Sequence, residues 1–146
     1  MLLFEELEVG QRFAGGRHTV DREEIVSFAR EWDPQPFHLD DEAARQSVFG
    51  EITASTAHIF AILCKLSHQY EARADSMAAL GIDEMRMLRP LRPGDTLHLE
   101  NEVIAMRLSR SKPDRGVVSF QAHLINQEDE VVMSMKATSM VRARST

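Results

Sequence analysis

Cysteine is almost missing from this chain. Cys64 is the only one in 146 residues, which excludes an intramolecular disulfide and a thiolate metal cluster. A reducing, cytoplasmic home suits such a sequence. Positive charge is also scarce: 17 Lys and Arg face 23 Asp and Glu, for a formal net charge of −6. General nucleic-acid binding, which needs a basic surface against phosphates, is therefore not expected, although a local basic patch for a charged ligand remains open. No apolar run reaches the roughly 18 residues of a membrane span, and MLLFEELEVGQ has neither the basic region nor the apolar core of a leader. A soluble protein is expected, with no membrane partner. What is present is ordinary for a globular protein. The 43% hydrophobic and 27% charged residues indicate neither disorder nor a fibrous repeat, and the length suits a single domain over residues 1–146 with a real core.

Along the chain, Arg12-Phe13 and His18-Thr19-Val20 read as an edge strand bent or bulged at Gly15-Gly16. Asp21 and Glu24 have the spacing of a capping box ahead of Ile25, Phe28 and Ala29, so a helix is predicted to start there and to end near Trp32. Ala54 to about Tyr70 is apolar almost all round, which predicts a helix buried on several sides. Gly81 then punctuates the chain, and alternating strands follow over residues 82–87, 96–103, 116–124 and 131–137, with a proline turn at Arg92-Pro93-Gly94-Asp95. One long buried helix followed by long antiparallel strands implies an α+β fold in which the sheet wraps around the helix. Such a sheet leaves an edge to be paired, which favours dimerisation. The histidines His18, His58, His68, His98 and His123 are scattered without metal-ligand spacing, and none is assigned to a metal.

Chemistry concentrates between Trp32 and His58. Asp33 and His38 flank a segment carrying Pro34 and Pro36, and the prolines argue for a kinked loop rather than a regular helix. A carboxylate and an imidazole brought together there can share a proton and orient a water near neutral pH. The same spacing also allows a bland arrangement, with Asp33 capping a turn and His38 packing. Asp40 and Asp41 precede a short N-capped helix, and Phe49-Gly50 closes a turn before Ile52-Thr53-Ala54-Ser55.

Taken together, Asp33-Pro34-Gln35-Pro36-Phe37-His38-Leu39-Asp40, Ala44, Phe49-Gly50 and Ala54-Ser55-Thr56 resemble the signature of the MaoC-like acyl dehydratase family, (R)-specific enoyl-CoA hydratases included. Leu88 to Val103 looks like that family's strand, proline turn and strand. The resemblance implies a single hotdog domain, a homodimer or higher homo-oligomer, and Asp33 and His38 as catalytic residues. It further implies an oxyanion site at the helix N-terminus, at Ser55 and Thr56. Here Thr56 stands where the family carries glycine, Ser55 where it commonly carries histidine, and Gln35 where it carries asparagine. The implied substrate is a small-molecule acyl thioester, with coenzyme A entering as part of the substrate and no separate cofactor.

Three functions compete on these grounds: a hydratase/dehydratase of 2-enoyl or 3-hydroxyacyl thioesters, a non-catalytic hotdog protein binding an acyl thioester or another hydrophobic ligand, and a hotdog thioesterase. The last is weaker because residues 55–69 contain no Asp or Glu. Arg107, Arg110, Lys112 and Arg115 read either as a coenzyme A phosphate site or as a solvated charged hairpin.

Overall fold

The computed structural model describes residues 1–144. A five-stranded antiparallel sheet in the order β1-β3-β4-β5-β2 carries the helices. Its strands are β1 (Arg12–Thr19), β2 (Ser76–Met87), β3 (Thr96–Leu108), β4 (Arg115–Ile125) and β5 (Val131–Arg142). The helices are α1 (Arg22–Trp32), α2 (Pro36–Leu39), α3 (Asp41–Gln46) and α4 (Thr56–Ser67), preceded by a 3-10 turn at Phe4–Glu6. The α+β wrap expected of a hotdog is present.

Core formation follows the side-chain pattern. On β4 half-buried and buried residues alternate, with Val118, Phe120, Ala122 and Leu124 inside, the period of a sheet with one covered face. From α4, Ile59, Ile62, Leu63 and Leu66 enter the same core as Leu97, Leu99, Leu124 and Met133. Full burial of each such side chain stabilises the fold by about 1.5–3 kcal/mol. Where α4 crosses β1, Gly15 allows a close approach: a Cβ there would lie 3.0 Å from the Tyr70 ring and 3.1 Å from the Leu66 carbonyl, so these neighbours would have to give way. The predicted bulge falls at this point, as the β1–β3 register shifts between Ala14 and Arg17.

Several expectations need correction. Residues 82–87 are the second half of a strand that begins at Ser76, and Gly81 lies inside it, because the chain keeps pairing with β5 through register shifts, one of them between Ala79 and Gly81. β3 and β5 each run five residues further than alternation alone indicated. The proline segment is not wholly loop, since Pro36 opens α2 in the first turn, where its missing N–H breaks no intrahelical bond. Within one chain α4 is buried on one side only. Ala57 and Cys64 are exposed.

Asp21 caps α1 as expected, accepting a hydrogen bond from the Glu24 N–H at 2.8 Å. The Glu24 carboxylate does not close a capping box; it meets His18 Nε2 at 2.9 Å and approaches His58 Nε2 to 3.7 Å. His58 is buried and stacked on Phe28, with ring centroids 4.5 Å apart. Burial lowers its pKa below the ordinary 6.5, Glu24 opposes this and His18 adds to it. The unfolded chain therefore takes up this proton first as pH falls. The contribution of neutral His58 to stability is complete above its unfolded pKa and is lost as pH drops toward the folded one. Between about pH 7 and pH 5, Tm should fall less steeply in His58→Leu than in wild type, as read by thermal melts. Parallel slopes would show that His58 does not drive acid sensitivity.

Candidate active site

Pro34 positions the first acid. The residue before a proline is pushed out of helical geometry, so α1 ends and Asp33 becomes its C-cap, with φ −154° and ψ 74°. Gln35, before Pro36, is likewise extended, and α2 then turns His38 inward. His38 is 6% exposed. Its Nδ1 lies 2.6 Å from the Thr53 carbonyl oxygen. A carbonyl only accepts, so Nδ1 carries the hydrogen, and in neutral His38 the lone pair sits on Nε2. That nitrogen points at Asp33, 3.8 Å from Oδ2.

A separation of 3.8 Å is too long for a direct hydrogen bond. It is short enough for one water to touch both atoms at ordinary hydrogen-bond lengths. The pair borders a cleft of about 550 Å³ whose walls include Phe37, Phe49, Thr53, Thr56 and Ile59. Thr53 Oγ1 is buried without a hydrogen-bonding partner among the described residues.

The cleft's far wall is set by the proline turn. Ala54 N–H donates to the Leu91 carbonyl at 2.9 Å, and Leu91 is fully buried. This fixes the chain entering α4. Ser55 is the N-cap, its Oγ accepting from the His58 N–H at 3.1 Å. Its hydroxyl is thus committed to the helix, and Ser55 does not line the cleft. Thr56 does. As the first residue of α4 it has no intrahelical acceptor for its N–H, and the helix dipole adds positive potential at that end. Thr56 is not among the residues with positive φ, so a side chain in this position carries no backbone strain.

The structure therefore brings together Asp33, His38 and Thr56 and leaves Ser55 in a supporting place. It does not bring in the basic hairpin. The cleft lies near the level of Met87, which pairs across β5 and β4 to Leu99, whereas Leu108 opposite Gly116 marks the hairpin end. That is roughly 30 Å away at ~3.3 Å per residue. Arg115 is moreover held by Asp114 through two hydrogen bonds of 2.7 and 2.8 Å. The cation beside the cleft is Arg89, paired with Glu130 at 2.8 Å. The doubled Arg-Pro of LRPLRPGD was its only sequence signal.

Residues 6–123 match the MaoC like domain model. The fold superposes on a MaoC-like dehydratase from Rhodospirillum rubrum with a TM-score of 0.93 and 43% identity, covering all of both chains. It is similar to R-hydratase PhaJ1 from Pseudomonas aeruginosa, with a TM-score of 0.76 and 25% identity over 97% of this chain and 86% of that one. A mesaconyl-CoA hydratase from Cereibacter sphaeroides is 40% identical over 72 residues, 49% of this chain but only 21% of that protein. Asp33 at the end of α1 and His38 on α2, the helix entry facing them and the match across most of the sequence lead to one assignment: the chain belongs to the MaoC-like dehydratase family and has its hotdog fold.

Proposed function

We propose that this protein is a hydro-lyase that adds water to a 2-enoyl thioester or removes it from a 3-hydroxyacyl thioester. Coenzyme A is the carrier and part of the substrate, and the protein works in the cytoplasm as a homodimer of single-domain chains. The observation that carries the reading is the pair Asp33 and His38, with Nε2 and Oδ2 at 3.8 Å across a cleft that also holds the free end of α4. The hydratases among its relatives support the reaction class.

In the hydration direction the His38 Nε2 lone pair takes a proton from water as the water oxygen bonds to C3. Asp33 orients that water and stabilises the imidazolium. Electrons of the double bond move onto the thioester oxygen, where the Thr56 N–H donates to the developing negative charge. The enolate then collapses, and the proton held on the dyad is delivered to C2. Dehydration retraces these steps. Hydrolysis is disfavoured because α4 offers no carboxylate.

Binding without turnover is the second reading, and Thr56 in the glycine position favours it. Two experiments separate the readings. Asp33→Asn and His38→Ala should each lower hydration of enoyl thioesters by roughly 10²-fold or more. The double variant should lose far less than the product, while calorimetric binding of a non-reactive acyl thioester stays nearly unchanged. Wild type that binds such a ligand but turns over no member of an enoyl and 3-hydroxyacyl panel would remove the enzyme reading. Thr56→Gly should keep or raise turnover, because the donor is a backbone group. A loss of about 3–4 kcal/mol of transition-state stabilisation in a folded Thr56→Gly protein would instead assign the role to the threonine hydroxyl.

Dimerisation is supported by β2, which is almost wholly exposed at the sheet edge, with Leu80 and Ile82 49% and 44% exposed. Cys64 on α4 is also exposed and borders the same groove as β2. Long exposed edges are normally paired or blocked. Sedimentation at micromolar concentration should give a dimer or larger, and a stable monomer would count against this assembly.

A further inference from the structure

Residues 47–51 form the short loop that carries Phe49 to the cleft. Val48 is 95% exposed, and Gly50 takes the left-handed φ of 75° that lets the chain turn back. The Phe49 N–H donates to Ser47 Oγ at 3.2 Å, and Ser47 Oγ donates to the Ala44 carbonyl at 2.7 Å. These bonds tie the loop only to itself and to α3. Among the described residues, the hydrogen bonds that join the loop to a distant stretch both come from Arg92, which donates from one guanidinium nitrogen to the Phe49 carbonyl at 3.2 Å and to Glu51 Oε1.

Arg92 is itself held. Its N–H donates to Asp95 Oδ2 at 2.8 Å, Asp95 Oδ1 accepts from Gln127 Nε2 at 2.9 Å, and the Gly94 N–H donates to the Val20 carbonyl at 2.7 Å. The proline turn is thus braced by the chain before α1 and by the β4–β5 connection, which gives the guanidinium a firm base. Arg92 does not border the cleft, whereas Phe37, His38 and Phe49 do. The Phe49 ring lies 5.8 Å from the Phe37 ring, and Phe37 meets the His38 imidazole edge-on at 4.5 Å. A line of contacts therefore runs from the proline turn through the loop to the aromatic wall beside the dyad.

The two ends of that line are secured differently. His38 keeps its place through the Thr53 carbonyl, with no help from the loop. The Arg92 and Glu51 side chains are 39% and 55% exposed, and ion pairs of that kind contribute little to overall stability. The effect of Arg92 is local, on the carbonyl of the residue whose ring forms the wall.

We propose that Arg92 is a positioning residue that pins the Phe49 loop, so that the aromatic wall stands in place before an acyl thioester binds. The inference rests on the hydratase reading for its ligand. Without the guanidinium the loop is ordered in only a fraction of molecules, and apparent affinity falls by that fraction while the dyad's chemistry on bound substrate is kept. Arg92→Met, which retains the aliphatic stem, should speed deuterium exchange at residues 47–51 roughly tenfold, the scale of one hydrogen bond to a charged group. Exchange at residues 59–66 of α4 should not change. With an enoyl-CoA substrate KM should rise roughly tenfold, with kcat within about twofold of wild type. Phe49→Ala removes the ring through which Arg92 acts, so adding Arg92→Met to it should cost no more than about a further twofold. Unchanged loop exchange, a loss confined to kcat, or full additivity with Phe49→Ala would overturn the inference. If no enoyl thioester is turned over, the hydratase reading fails on its own. Calorimetry with a saturated acyl-CoA then takes the place of kinetics: weaker binding by Arg92→Met that is absent in the Phe49→Ala background supports the inference, and equal binding by wild type and Arg92→Met overturns it.

Discussion

The bond from His38 Nδ1–H to the Thr53 carbonyl is the constraint on which the site depends. It spans the α1–α3 layer and the chain entering α4, so one contact sets the tautomer, the ring orientation and the distance from Asp33 to the helix entry. Buried polar groups need partners, and here the partner also frees Nε2 toward the cleft. The acceptor segment is itself tethered, as Ala54 donates to Leu91 in the proline turn. Three stretches distant in sequence are thereby locked into one wall.

Scaffold and site meet in α4. Its buried side, Ile59, Ile62, Leu63 and Leu66, anchors the helix by apolar burial, and the anchored helix then presents its N-terminal turn to the cleft. Close approach to β1 is possible because Gly15 has no side chain in the way. The opposite side of the helix, with Ala57, Cys64 and Lys65, is not covered by its own chain. Ser55 illustrates the division of labour: its hydroxyl caps the helix, which holds the neighbouring Thr56 N–H at the cleft.

Local signals served well wherever local chemistry decided the outcome. The Asp21 and Asp40 caps, the bulge at Gly15-Gly16 and the end of α1 before Pro34 all follow from hydrogen-bonding capacity and steric limits within a few residues. Glu24 did not follow its local pattern, since a capping-box position was outcompeted by His18 and His58 arriving from β1 and α4. Gly81 did not break β2, because pairing with β5 through shifted register outweighed its weak strand preference.

By itself the sequence determined the α+β class, the order of most elements and the family, and it marked Asp33, His38, Ser55 and Thr56 as site candidates, since periodicity, proline geometry and motif spacing are properties of short stretches. Tertiary structure decided which atoms face each other. It separated Thr56 from Ser55, held the chain's own basic hairpin away from the cleft and brought Arg89 to it. The physical reason is that distances between side chains far apart in sequence depend on sheet register and helix packing, which emerge only when the whole core closes.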